Sequence, residues 1–494
     1  MASTPKTEEV LNSLRQQVSV SVHSTRELVG KVDEAAADKE RERRETFEKR
    51  QEEGKTKTGE TYEPLRRKPG LRPLPGTEVG LSVTLTFWDV LHHLGRGLAL
   101  SQRGASRGLA EHWGSLKYCQ ALSAHTETQL GLTHEGNLLG LSDEGKRIAM
   151  YYKALQSEEL GHAFALAVSE QILTRRYPEH SISFVRADTA LRAGWTLTSR
   201  DKAKTKTVGY PYRPQFFAEV WKPGESSRVI PIACKGNHSD RQKAYEQLAS
   251  AAVHADGVHI GAWNETPALL FSTEIALTDP LTVHVLHADG PGGWLHIPDG
   301  TPAADIGLDL GNEQPGIGIL KPGQGKDPDS SEPGCQVGPK DPKDYEWFQR
   351  VLARVGAAGL TAFAGDGEST AALLTTRQGS DFFQGFAHAA SGSVQDQDYI
   401  LLGEKFEGTD HVFRLNGKRV QAFSGVAADV LGSLITRQDP PKRQADIATY
   451  RQQVHARRAK ENGTFWDHTW AGVVSIGRDG TVLAMRQIPP FRDE

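Results

Sequence analysis

The stretch RPQFFAEVWKPGESSRVIPIACKG, residues 213–236, decides the fold because it predicts a β-hairpin. Two runs rich in Phe, Val and Ile flank the segment Pro-Gly-Glu-Ser-Ser, whose residue types are typical of a turn. If Lys222 pairs with Arg228 across this turn, Gln215 lies opposite Lys235 in the neighbouring strand. The hairpin therefore predicts that polar side chains from two strands meet at one end of a sheet.

The alternation of side chains along each strand decides which residues share a face. On this pattern Gln215, Ala233 and Lys235 lie on one face, and the apolar residues between them point to the other. Asp188, at the end of the preceding strand, and Glu159, on the preceding helix, are further candidates for the same site. The sequence thus predicts a cluster built from three or four neighbouring elements.

The chain on both sides of the hairpin predicts the rest of this unit. A helix begins near Ser157, and its apolar residues recur every fourth position: Leu160, Phe164, Val168 and Ile172. The other predicted elements are a strand at 181–187, a helix at 241–254 and a strand at 267–273. The order helix, three strands, helix, strand predicts an α/β (α+β) fold with a mixed central sheet flanked by helices.

This ordered set resembles the PD-(D/E)XK restriction-endonuclease-like superfamily. Pro214-Gln215 stands where that family has Pro-Asp, and Ala233-Cys234-Lys235 stands where it has Glu-x-Lys. Glu158 or Glu159 resembles the glutamate of the family's first helix, and Gln247 resembles the glutamine of its second helix. The resemblance covers residues 156–273, about a quarter of the 494 residues. It implies a protein that acts on DNA, with Mg²⁺ held by two carboxylates and a lysine beside the attacking water.

Both carboxylate positions depart from the family pattern, because Gln215 carries an uncharged amide and Ala233 only a methyl group. Three explanations stay open. The site has migrated, with Asp188 and Glu219 as metal ligands and Lys235 as the catalytic lysine. The domain is an inactive pseudo-nuclease that keeps the fold for binding DNA or protein. Or Ala233 is an introduced replacement of a glutamate that inactivates the enzyme.

The residues directly after Lys235 border the predicted site. In the segment Asn237-His238-Ser239, His238 is a candidate for contacting a phosphate of the substrate. With Glu159, Gln215, Ala233 and Gln247, it completes the set of candidate site residues beyond the proposed ligands.

Length and composition predict several folding units. The 494 residues have a formal net charge of −4, and only 37% are apolar, so part of the chain is expected to lie outside any core. The predicted units are a disordered charged tail at 1–75, a proline-free helical region at 76–150, the nuclease-like domain at 151–320, a Pro/Gly-rich linker at 321–344 and an α+β domain at 345–494.

The sequence also predicts the cellular location and the function of the protein. The three cysteines form no CxxC pair, and no apolar run is long enough to cross a membrane, so we expect a cytoplasmic protein without a membrane partner. The leading hypothesis is a Mg²⁺-dependent endonuclease acting on DNA in defence against foreign DNA. The alternative is an inactive pseudo-nuclease that serves as a binding or scaffold module, with the C-terminal domain engaging a protein partner.

Overall fold

The computed structural model describes most of the chain in ordered elements. The described residues are 6–56, 60–62, 64–78, 80, 82–101, 113–125, 137–194, 198–199, 208–209, 212–258, 260, 266–277, 279–295, 342–375, 378–379, 394–434 and 446–489. The predicted linker at 321–344 lies outside them except for its last three residues, which belong to a helix.

Helices and strands are mixed along the whole described chain. The helices are α1 (Thr7–Leu14), α2 (Arg26–Glu52), α3 (Phe87–Leu98), α4 (Asp143–Lys146), α5 (Met150–Arg176), α6 (Ala187–Gly194), α7 (Arg241–Asp256), α8 (Pro342–Phe363), α9 (Gly367–Leu373), α10 (Ala428–Leu434) and α11 (Ile447–Arg457), with one 3₁₀ turn at Ser115–Tyr118. No helix among these is both long and apolar enough to span a bilayer.

The strands form a large mixed sheet, a six-stranded antiparallel sheet and one two-stranded ribbon. The strands are β1 (Gln17–His23), β2 (Leu71–Arg72), β3 (Ser82–Thr86), β4 (Leu122–His125), β5 (Leu138–Leu141), β6 (Ser181–Arg186), β7 (Thr198–Ser199), β8 (Val208–Gly209), β9 (Phe216–Trp221), β10 (Ser227–Asn237), β11 (Ala268–Glu274), β12 (Thr282–Ala288), β13 (Trp294–Leu295), β14 (Val394–Leu401), β15 (Glu404–Leu415), β16 (Lys418–Ala427), β17 (Gly463–Asp467), β18 (Gly472–Ile476) and β19 (Thr481–Gln487).

The mixed sheet has its main strands in the order β4-β5-β1-β12-β11-β10-β9-β6. Strands β6, β9 and β10 form an antiparallel meander, β11 runs parallel to β10, and β12 runs antiparallel to β11. Helix α7 makes the crossover between the parallel strands β10 and β11, as a parallel pair requires. The predicted mixed sheet with flanking helices is confirmed.

The central elements agree with the sequence pattern because their apolar residues recur at the expected spacing. Helix α5 begins at Met150 instead of near Ser157, and its predicted apolar stripe is fully buried. Helices α3 and α5 cover one face of the mixed sheet; α7, with α2 packed behind it, covers the other.

The C-terminal unit is α+β, as predicted. Its antiparallel sheet has the order β14-β15-β16-β19-β18-β17. Helix α8 joins it to the mixed sheet, since Phe348 packs edge-on against Phe217 with ring centroids 5.7 Å apart. Trp88 of α3 donates its indole N–H to the carbonyl of Leu483 at 2.9 Å. The two sheets therefore share their apolar cores.

The prediction of a disordered tail at 1–75 is wrong for residues 7–52. Strand β1 lies inside the mixed sheet, paired with β3, β5 and β12, and its three valines are buried. Helix α2 buries Leu28, Val32 and Ala35 along one stripe. The charged residues that dominate the composition lie mainly in the exposed second half of α2. The mean composition of residues 1–75 therefore conceals the short apolar face in the first half of this helix.

The prediction of a helical region at 76–150 is correct only in part. The region contains α3, which begins with a capping box between Thr86 and Asp89. It also contains the strands β3, β4 and β5. Absence of proline is compatible with central strands as well as with helices, because both need the backbone N–H.

Candidate functional site

The predicted hairpin is present, but its register differs from the prediction by two residues. Arg228 pairs with Val220 and not with Lys222, and Phe216 pairs with Ile232. The turn lies one residue earlier than predicted, at 222–226, because β9 ends at Trp221 and β10 begins at Ser227. The Ser227 hydroxyl donates to the Glu219 carboxylate at 2.7 Å. A shift of two leaves every side chain on its predicted face.

This register places Gln215 beside Ala233. The backbone N–H of Gln215 donates to the Ile232 carbonyl at 3.0 Å. The side-chain Oε1 of Gln215 accepts from the backbone N–H of Cys234 at 2.9 Å. Ala233 is completely buried, in an apolar cluster with Leu248 of α7. Neither residue brings negative charge to the site, and the Gln215 side chain is already used to extend the β9–β10 ladder.

Lys235 lies at the same end of β10 and is half-buried. The described residues provide neither a hydrogen-bond nor an ion-pair partner for its ammonium group. Helix α5 packs closely on the opposite face of this segment, because a Cβ on Gly161 would lie 2.7 Å from the nitrogen of Gly236. The two glycines let the helix backbone contact the strand backbone, which holds the Lys235 main chain in place.

Gln247, on α7, connects the helix to this end of the sheet. Its Nε2 donates to the Gly236 carbonyl at 2.8 Å, and its Oε1 accepts from Ser272 Oγ at 2.6 Å and from Asn237 Nδ2 at 3.2 Å. These bonds engage both ends of the amide. Gln247 therefore positions the strand ends around Lys235.

The polar row continues from β10 across β11, β12 and β1, and no pattern in the sequence connects β12 or β1 to the site. His284 on β12 is fully buried and its Nε2 lies 2.8 Å from Glu274 Oε2 on β11. Its Nδ1 lies 2.9 Å from His23 Nδ1 on β1, and His23 Nε2 lies 3.2 Å from Thr25 Oγ1. Glu274 follows Ser272 on the same face, so the row is continuous from Lys235 to His23.

One arrangement of protons satisfies this chain of groups. His284 Nε2–H donates to the Glu274 carboxylate, His23 Nδ1–H donates to His284 Nδ1, and the Thr25 hydroxyl donates to His23 Nε2. Both imidazoles are then neutral. Burial, reinforced by His284, lowers the pKa of His23, in agreement with a neutral ring. No sequence signal links residues that are 261 positions apart.

The proposed metal ligands Asp188 and Glu219 each pair with an arginine. Asp188, at the start of α6, contacts Arg213 at 2.7 Å. Glu219 is buried and contacts Arg451 of α11 at 2.9 Å. Glu219 also lies four residues from Gln215 along the chain, roughly 13 Å in an extended strand. The carboxylates of Asp188 and Glu219 therefore lie at different positions along the strands, each held by its own arginine.

The remaining candidates lie at the border of the site. Glu159 is buried and pairs with Lys117 at 3.0 Å, while Glu158 beside it is exposed. His238 Nδ1 lies 3.0 Å from the Ile275 carbonyl, and its Nε2 is buried without a hydrogen-bond partner. Burial lowers the pKa of His238. Over the part of the chain that the structure describes, no three or more His, Cys, Asp or Glu residues are grouped to hold a metal ion.

Comparisons with models of known protein families, with curated proteins and with solved structures find no match to this chain.

Proposed function

We propose that this chain binds DNA through a restriction-endonuclease-like sheet and does not cleave it. The resemblance seen in the sequence gains support from topology. Helix α5, the meander β6-β9-β10, the crossover helix α7 and the parallel strand β11 follow one another in the order that the resemblance implies. Gln215, Ala233 and Lys235 lie in this sheet at the positions that the resemblance assigns to the family motif.

The lack of free carboxylates at these positions is the observation that supports DNA binding over DNA hydrolysis. Mg²⁺ prefers carboxylate and other oxygen ligands, with strict geometry. Gln215 uses its amide oxygen on Cys234 N–H, Ala233 offers no donor atom, and Asp188, the acid expected to replace them, pairs with Arg213. The donor set around Lys235 does not fit the ion. Lys235 itself suits an anion, so we assign it to a phosphate of the DNA backbone.

The sequence between α6 and β9 is rich in basic residues. Residues 196–207 contain four basic residues and one acid, Asp201. The described chain resumes at 212, and Arg213 lies two residues before Gln215. Contacts between such cations and phosphates release bound counterions, which makes the affinity depend strongly on salt. A DNA complex of this chain should weaken steeply as salt is added.

Fluorescence anisotropy with a labelled DNA duplex tests the proposal. We expect binding at low salt that is the same in Mg²⁺ and in EDTA, and Lys235→Ala should weaken it and lower the salt slope by about one. Lys222→Ala is the matched control, because Lys222 lies at the opposite end of the hairpin. Absence of binding at low salt, or equal affinities for the two variants, would overturn the proposal.

Nicking of plasmid DNA tests the competing hypothesis of an active nuclease. If the site has migrated, Mg²⁺ or Mn²⁺ should support cleavage that Asp188→Ala abolishes. We expect no cleavage in either metal. Ala233→Glu is a poor test of an inactivated site, because the new carboxylate would enter the apolar cluster around Leu248 and unfold the domain.

A further inference from the structure

The first two turns of α5 extend beyond the carboxyl end of β10. The helix runs antiparallel to this strand, because Tyr177 at the end of the helix accepts a hydrogen bond from Arg228 and Gly161 packs on Gly236. At a rise of about 1.5 Å per residue, Tyr152 lies roughly 14 Å from Gly161 along the helix axis. The start of α5 therefore stands next to the strand end that carries Lys235.

This part of α5 exposes two aromatic rings. Tyr151 is 70% exposed and Tyr152 is 48% exposed, and their ring centroids lie 4.0 Å apart. Leu155, one turn further along the helix, is also exposed. The two rings cover each other on one side only, so much of their apolar surface is open to a ligand.

The segment after β11 brings one more exposed apolar side chain to the same end of the sheet. The backbone N–H of Ile275 donates to the Asn237 carbonyl at 2.8 Å, and the Ile275 carbonyl lies 3.0 Å from His238 Nδ1. Leu277 follows two residues later and is 44% exposed. In the described part of the chain, most of the exposed large apolar side chains thus lie at this end of the mixed sheet, and the others lie where β14 ends.

Charged groups of both signs lie beside these apolar side chains. Burial lowers the pKa of His238, and the positive charge of the nearby Lys153 lowers it further. Lys153 of α5 and Lys235 of β10 therefore border the same short segment, residues 236–238. The acids Glu158 and Asp240 are exposed there as well. Electrostatic attraction alone would thus hold a nucleic acid weakly at this end of the sheet.

Exposed tyrosines beside lysines are suited to nucleic acid with unpaired bases. In a duplex the faces of the bases are covered by their neighbours in the stack, whereas unpaired bases can stack on aromatic side chains. Truncation of a tyrosine that carries one stacked base typically weakens binding about tenfold. The exposed rings of α5 therefore offer a contact that a single strand can use and an intact duplex cannot.

We propose that the DNA bound at Lys235 is single-stranded, with unpaired bases stacked on Tyr151 and Tyr152 and its backbone passing Lys153. The inference rests on the proposed function, because Lys235 is assigned there to a DNA phosphate, and it adds the form of the DNA. The exposed rings and Lys235 adjoin each other at the end of β10. A strand of a few nucleotides spans the distance between them.

Fluorescence anisotropy on the full chain tests the inference with a labelled oligothymidine strand and a duplex of the same length. We expect the single strand to bind about tenfold more tightly than the duplex. Tyr152→Ala should weaken the single strand about tenfold and leave the duplex affinity unchanged, whereas Tyr152→Phe keeps the ring and should bind as the wild type. Ile400→Ala, at an exposed apolar side chain of β14, is the matched control and should change neither affinity.

The outcomes separate this inference from the proposed function. Duplex binding that requires Lys235, with equal affinity for the single strand and no effect of Tyr151→Ala or Tyr152→Ala, would overturn the inference and leave DNA binding intact. Absence of binding to both forms would overturn the two together. Sedimentation of the free chain tests the other use of the exposed rings. Self-association that Tyr152→Ala abolishes, with unchanged single-strand affinity, would assign the rings to a second copy and refute the inference.

Discussion

His162 lies in the middle of α5, where a titratable ring is placed in an apolar environment. Its side chain is 9% exposed and meets Phe216 edge-on at 5.7 Å, and its Nε2 is buried without a hydrogen-bond partner. Burial, with smaller effects of Arg186 and Lys235, lowers the pKa of His162 from 6.5 to about 3. The folded protein therefore keeps this ring neutral at pH values where the unfolded chain protonates it.

This difference makes the free energy of unfolding depend on pH. Because the pKa of His162 is lower in the folded state, the unfolded chain binds more protons, and stability falls as the pH drops below 6.5. Each pH unit between the two pKa values costs about 1.4 kcal/mol. Acidification from about pH 7.5 to about pH 5 should thus remove about 2 kcal/mol through His162 alone.

Urea unfolding of the wild type and His162→Phe at these two pH values isolates the effect. Phenylalanine fills a similar volume and removes both the titration and the unpaired nitrogen. The variant should lose about 2 kcal/mol less stability than the wild type over this pH range. His468→Asn, at an exposed histidine, is the control and should behave as the wild type. An equal loss in wild type and His162→Phe would refute the assignment of a neutral, buried imidazole.

Two further predictions concern the close packing of α5 on β10 and the buried ion pair of Glu219. Gly236→Ala should destabilise the chain by more than about 2 kcal/mol in urea unfolding, since a Cβ would overlap the Ser157 carbonyl; Gly30→Ala, with open space in α2, should instead stabilise it by about 0.5–1 kcal/mol. Equal effects of the two would contradict the close packing of α5 on β10. Glu219→Gln should cost about 3–5 kcal/mol because it leaves Arg451 with an uncompensated charge, and a loss below 1 kcal/mol would show that water screens the pair.

The local elements could be predicted because their signals lie within a few residues of each other. The apolar stripe of α5 repeats every fourth position, and the hairpin at 213–236 combines β-branched runs with a Pro-Gly turn. The face shared by Gln215, Ala233 and Lys235 followed from strand alternation alone. It survived a register error of two residues, because the side-chain period is also two.

Long-range pairing could not be predicted in the same way. Strand β1 joins β12 across more than 250 residues, and this pairing alone brings His23 to His284. Glu219 looked like a metal ligand in the sequence, yet its partner is Arg451, 232 positions away. Charge, size and spacing within a segment carry no information about which distant segment will cover it.

The sequence by itself determined the order of elements from α5 to β11 and the placement of Gln215, Ala233 and Lys235 on one face of the sheet. These are local properties, set by side-chain period and residue type. Only the tertiary structure decided that residues 7–52 enter the core, that Asp188 and Glu219 pair with arginines, and that α5 extends past β10 with Tyr151 and Tyr152 exposed. The physical reason is that burial and ion pairing depend on the summed fit of distant surfaces, which exists only once the chain has folded.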